Sequence, residues 1–276
     1  MKFFYNLLFL FLTVSAFAQN QLWKGYFSYN EVKAITSSSS KTYFATTNAV
    51  FVWTDASEEI EIYNSINGFK AQDITAIAHS ANFNKIIVGN SNGQLAIIDE
   101  NSGKVNFLND IVNKTSIPEN LKAINDIYVN ENTAYVATKY GISSIRLNDN
   151  NFGDTYYIGD AGEFSSVLQC TVINNYIYAA TELFGLKRIS ITNPNLIDYS
   201  QWETYSHAKW LSIVNLKGSL VGVKDDLSLN RFENNAPIAV DNVYAGFYKL
   251  NVHDAELTAV AHESVRCYNQ HLSLQF

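Results

Sequence analysis

The sequence predicts an all-β chain folded as a β-propeller of four-stranded antiparallel blades. Three observations carry this. Short runs of β-branched and aromatic residues alternate with Asn, Asp, Ser and Gly. No stretch sustains the apolar spacing of three and four that an amphipathic helix needs. The runs also recur in sets of about four, with a period of roughly 40 to 50 residues, the span of one propeller blade. A single four-stranded sheet cannot bury both faces. Stacking such sheets around an axis buries them against each other, and closing the ring removes most exposed edges.

Residues 1–18 read as a secretory signal peptide. Lys2 supplies the positive start, FFYNLLFLFLTV the apolar stretch, and Ala16-Phe17-Ala18 the small-residue cleavage pattern. Cleavage is expected between Ala18 and Gln19. Gln19 is not Cys, so a lipoprotein anchor is not expected. No later apolar run is long enough to span a bilayer. The expected location is therefore the periplasm or the outer-membrane cell surface. Residues 19–276 suit one large all-β domain or two small ones.

After the signal comes a lone strand candidate, WKGYFSY at 23–29. Six sets follow. Their second runs align as YFATT (43–47), IIVGN (86–90), YVATK (135–139), YAATE (178–182), LVGVK (220–224) and LTAVA (257–261). The third residues are Ala45, Val88, Ala137, Ala180, Gly222 and Ala259. Small side chains recur there, which lets a strand approach its neighbouring sheet closely. The second set reads DITAIAH (73–79), KIIVGN (85–90), QLAIID (94–99) and KVNFLN (104–109). The third reads INDIYV (124–129), TAYVATK (133–139), GISSIRL (141–147) and DTYYIGD (154–160). The last reads FYKLNVHD, LTAVAH, SVRCYN and HLSLQF. Two closures are open: a six-bladed ring with an extra strand, or a seven-bladed ring lacking most of one blade. The unpaired strand at 23–29 tilts the reading to the second.

Within the second set, GNSNG (Gly89–Gly93) fits the pattern of a serine-hydrolase nucleophile elbow with Ser91 as nucleophile. That elbow requires a helix after the serine. Here QLAIID and then another turn follow, so the segment reads as strand, Asn/Gly turn, strand. Gly93, Gly141 and Gly185 occupy the same place in successive sets, between second and third strands. They read as structural turn glycines that supply positive φ.

Several stretches resemble a known family: SNGQLAIIDENSGKVNFLND and its continuation to 163, YAATELFGLKRIS with NPNLIDYSQWETY, and WKGYFSYNEVKAI with NSINGF. They are similar to the N-terminal propeller of the PorZ family, surface components of the type IX secretion system of Bacteroidetes. The similarity runs over residues 20 to about 235. The resemblance implies a non-catalytic, exported module working with PorU, PorV and PorQ in the attachment complex. It further implies binding of anionic lipopolysaccharide and its delivery to the sortase PorU. Family members carry a second propeller and a C-terminal signal domain, for which this sequence has no counterpart. No ligand-binding residues carry over through a short motif. Two other readings remain: the periplasmic sensor propeller of a two-component regulator, and a propeller-fold carbohydrate-active enzyme with carboxylates or a His/Tyr pair converging at the axis.

The formal charge of −7 argues against nucleic acid, whose affinity rests on Lys and Arg meeting phosphates. No catalytic set, metal motif or cofactor motif is found. His79, His207, His253, His262 and His271 lack metal-ligand spacing. His253-Asp254 and His262-Glu263 are adjacent pairs that point to opposite sides of a strand, and they read as solvated or turn positions. DNNFGD (149–154) has Gly at the fifth place, not the sixth, so it fails as a calcium loop and reads as a connection between strands. EEIEI (58–62) reads as an outer strand with one wet face. Of Tyr156 and Tyr157, one should face inward and one outward. Cys170 and Cys267 lie in different sets and read as free, partly buried thiols.

Overall fold

The computed structural model describes residues 31–275. The expected signal peptide with its Ala18–Gln19 junction, and the strand candidate at 23–29, lie outside them.

Six antiparallel sheets form a six-bladed β-propeller. Blade 1 comprises β1 (Ala34–Ser37), β2 (Lys41–Ala45), β3 (Val50–Thr54) and β4 (Glu59–Tyr63). Blade 2 comprises β5 (Ile74–Ser80), β6 (Lys85–Asn90), β7 (Leu95–Asp99) and β8 (Val105–Leu108). Blade 3 has β9 (Ile124–Asn130), β10 (Thr133–Thr138), β11 (Gly141–Arg146) and β12 (Asn151–Tyr156). Blade 4 has β13 (Val167–Ile173), β14 (Tyr176–Thr181), β15 (Leu186–Ser190) and β16 (Glu203–Ser206). Blade 5 has β17 (Trp210–Leu216), β18 (Ser219–Lys224), β19 (Ser228–Glu233) and β20 (Ala236–Asn242). Blade 6 has β21 (Phe247–His253), β22 (Glu256–Ala261) and β23 (Val265–Tyr268). No seventh blade occurs among the described residues. β21 returns to β1 instead, with His253 Nδ1 2.8 Å from Ser37 Oγ. This corrects the tilt toward a seven-bladed ring.

Two strand readings shift. β12 begins at Asn151 rather than Asp154, so four of the six residues of DNNFGD are strand and the turn is confined to Leu147–Asn150. Arg146 pairs with Asn151 and leaves no room for a longer connection. HLSLQF is not a full strand. It folds back on β23 through the Tyr268–Leu274 bridge and the bond from Gln275 N to Cys267 O.

The cores lie between blades, and strand alternation explains them. Along β10, Ala134 and Val136 face blade 2, while Tyr135 and Ala137 face blade 4. Along β14, Ile177 and Ala179 face blade 3, while Tyr178 and Ala180 face blade 5. Side chains with period two thus serve two interfaces from one strand. This also corrects the column of small residues. The registers make Ala45, Gly89, Ala137, Ala180, Val223 and Val260 equivalent. Val88, Gly222 and Ala259 are each one residue off, which places them on the opposite face. The corrected column faces the following blade. At Gly89 a Cβ would lie 2.6 Å from Ile124 of blade 3, so only glycine fits there.

Candidate functional site

The first strand of each blade lies innermost, and consecutive first strands contact one another from β1 through β21. Five of them carry a β-bulge at the same place: Thr75, Asn125, Leu168, Leu211 and Tyr248. A bulge adds an unpaired residue and re-aims the next side chain. The residues after the bulges are Ala76, Asp126, Gln169, Ser212 and Lys249.

Four of these five make a polar network at the axis. Lys249 Nζ meets Asp126 Oδ1 at 2.5 Å, linking blade 6 to blade 3 across the ring. Gln169 Oε1 accepts from Ile213 N at 3.1 Å and from Ser212 Oγ. Leu250 N donates to Ser212 Oγ at 3.0 Å, which carries the chain into blade 6. Asn125, at a bulge, donates to Val167 O at 2.8 Å. The network fills the axis with hydrogen-bonded partners rather than with opposed acids. An axial carbohydrate-active enzyme needs carboxylates or a His/Tyr pair converging there. Here Asp126 is the carboxylate of the network and is ion-paired. Among the described residues no group of three or more His, Cys, Asp or Glu could hold a metal.

A second titratable cluster was missed by sequence reasoning. His79 and Glu100 are buried between blades 1 and 2, with Nε2 and Oε2 2.7 Å apart. The Tyr43 hydroxyl donates to Glu100 Oε1, and its ring stacks on His79 at 5.8 Å. Burial pushes the Glu100 carboxyl up, against the pull of Lys41. Burial likewise holds the His79 imidazole below its ordinary value. Both shifts disfavour the charged forms, because burial strips them of water. The two residues are 21 apart in sequence, and no short motif marks them.

The remaining histidines sit as follows. His253 is largely exposed beside Asp254, and His262 and Glu263 are both exposed. His207 and His271 are exposed. Both cysteines are free, and burial pushes the Cys170 thiol well up. Tyr156 is buried while Tyr157 is half-buried.

Ser91 lies in the turn between β6 and β7. Its N–H donates to Asp73 O at 2.8 Å, and a strand follows it in place of a helix. Gly93, Gly141 and Gly185 have φ of +88°, +148° and +69°. A polar side chain at the end of the second strand braces this turn in four blades. Thr46, Thr138 and Thr181 donate to the carbonyls of Ala49, Gly141 and Gly185, and Asn90 Nδ2 donates to Gln94 O.

The end of the ring that carries these turns also carries the long blade-to-blade connections. There Tyr157 and Phe164 pack at 5.4 Å, and Lys114 Nζ lies 5.6 Å from the Tyr157 ring. Leu183 nearby is 80% exposed. Exposed aromatic and aliphatic groups on loops of a rigid scaffold suit binding.

A family model for the N-terminal β-propeller domain of PorZ of the type IX secretion system matches residues 42–203, more than half of the chain. The chain belongs to this PorZ propeller family. Among solved structures, PorZ of Porphyromonas gingivalis, described as an essential bacterial surface component of the type IX secretion system, superposes with a TM-score of 0.77 at 17% identity. The match covers 89% of this chain and 32% of that one, so the chain spans about a third of that PorZ. The extracellular domain of a putative hybrid two-component system from B. thetaiotaomicron matches at TM-score 0.65 and 14% identity, over 88% of this chain and 34% of that one. The β-propeller domain of Cps50 (Swd1) from Myceliophteria thermophila matches at 0.66 and 8% identity, over 89% and 85%. At these identities the likenesses show the fold alone. No curated protein sequence matches the chain. The PorZ family model spans β2 to the start of β16, and so covers the axial residues Asp126 and Gln169.

Proposed function

We propose that the chain is a non-catalytic interaction module of type IX secretion, exported and acting at the cell surface. The observation that carries this reading is the PorZ propeller match over residues 42–203. In this reading the ring is a rigid scaffold, stiffened at its axis by the Asp126–Lys249 pair, that presents loops to a partner. The finer role proposed is that of the family: work with PorU, PorV and PorQ, and delivery of anionic lipopolysaccharide to PorU. The polar axis, with Asp126 paired to Lys249, supports the binding reading.

The test is a pull-down with purified, folded chain from a Bacteroidetes outer-membrane extract. The expected result is recovery of PorU or of anionic lipopolysaccharide. Retention of neither by protein with a cooperative melt removes the secretion role and leaves the fold assignment standing.

A further inference from the structure

Three segments meet where blade 3 passes into blade 4. They are the connection between the two blades (157–166), the β14–β15 turn (182–185) and the long β15–β16 connection (191–202). A Cβ on Gly159 would lie 3.2 Å from the Phe184 ring, and one on Gly162 3.2 Å from the Tyr199 ring, so the segments touch. Each presents apolar surface. Phe164 is 40%, Leu183 80%, Ile197 60% and Tyr199 44% exposed. The patch is also held in place. Phe164 packs on Tyr157, and the connection beneath it is tied to blade 4 by Glu182 N donating to Ser166 O at 2.9 Å. A surface ordered in advance loses little entropy on binding.

The border of this patch is acidic where it meets the apolar groups. Glu163 precedes Phe164, Glu182 precedes Leu183, and Asp198 precedes Tyr199. Glu163 and Glu182 are exposed, and among the described residues none of the three acids is in an ion pair. The cations nearby are placed differently. Lys187 is buried and paired with Asp160 at 2.7 Å. Lys114 donates to Thr155 at 3.0 Å and lies against Tyr157, on the blade 3 side, where Lys139 is exposed on the β10–β11 turn.

We propose that this patch docks a protein partner, through an apolar segment of that partner with Lys or Arg beside its apolar residues. Exposed Phe, Tyr and Leu anchors grouped on rigid loops supply the apolar contact. The three carboxylates select the sign of the flanking charge. They also decide against two other occupants. An anionic polysaccharide would meet like charge, and two copies of this chain joined symmetrically through the patch would set carboxylate against carboxylate. The inference rests on the interaction-module reading above and adds to it the surface and the chemistry of the partner.

The test places the photo-crosslinking residue benzoylphenylalanine at Leu183 of the whole exported chain, expressed in a Bacteroidetes host. A control carries it at Ser57, exposed in the β3–β4 turn at the opposite end of the ring. The expected result is a cross-linked protein absent from the control, mapped by mass spectrometry to an apolar segment with adjacent Lys or Arg. Glu163→Lys with Glu182→Lys should lower the yield about fivefold or more at an unchanged melting temperature. Cross-linking no greater than the control would overturn the proposal. So would cross-links to an acidic segment, to polysaccharide or to a second copy, or a yield indifferent to the charge reversal. A basic, apolar partner foreign to type IX secretion would uphold the docking patch while removing the secretion role.

Discussion

Ala255 occupies a backbone conformation that disfavours its own side chain. It closes the two-residue turn between β21 and β22 with φ of +103°, after Asp254 at +51°. The equivalent turns of blades 4 and 5, Asn174-Asn175 and Lys217-Gly218, place Asn or Gly at the second position, where positive φ is better tolerated. Ala255→Gly is expected to raise stability by about 1 kcal/mol, read by urea denaturation, because it removes the steric cost at positive φ. Gly185→Ala is expected to act the other way. Its Cβ would lie 2.2 Å from the Ser206 carbonyl oxygen at φ of +69°. A loss of about 2 kcal/mol or more in the same assay is the predicted result. The periodic place of Gly185 was legible in the sequence. The strain at Ala255 was not, because only the backbone angles reveal which turn residue is misplaced.

At the scale of elements, the inner strands show what bulges accomplish. The shift at Asn125 and at Tyr248 turns Asp126 and Lys249 toward each other across the ring. Lys249→Met leaves the mostly buried Asp126 carboxylate unpaired. It is expected to lower stability by about 1–3 kcal/mol, with the Asp126→Asn, Lys249→Met double variant recovering part of the loss in a double-mutant cycle. The strands themselves were largely legible from runs such as KIIVGN, which matches β6 residue for residue. Bulges were not, since an extra residue leaves no mark on an alternating apolar pattern. Register is equally unmarked, and a one-residue offset puts Val88, Gly222 and Ala259 in the wrong column.

For the whole molecule, stacking blades buries tyrosines at their interfaces. Burial pushes Tyr135 and Tyr140 up to about 12. The folded state then holds phenolic protons that the unfolded state releases above pH 10. Stability is therefore full below pH 10 and is lost as pH rises toward 12. Tyrosinate absorbance at 295 nm should show late-titrating groups that merge with unfolding, and Tyr140→Phe should remove part of the alkaline loss. Titration of every tyrosine near pH 10, with unfolding only later, would contradict the buried placement.

The sequence by itself determined the strands, the blade period, the turn glycines and the kinship with PorZ, because alternation and periodic glycine are local consequences of one repeated sheet. The tertiary structure decided the rest: six blades, the cross-ring ion pair and the buried His79–Glu100 contact. Each of those depends on which strands meet in space, and residues 21 or 123 positions apart leave no local trace of their meeting.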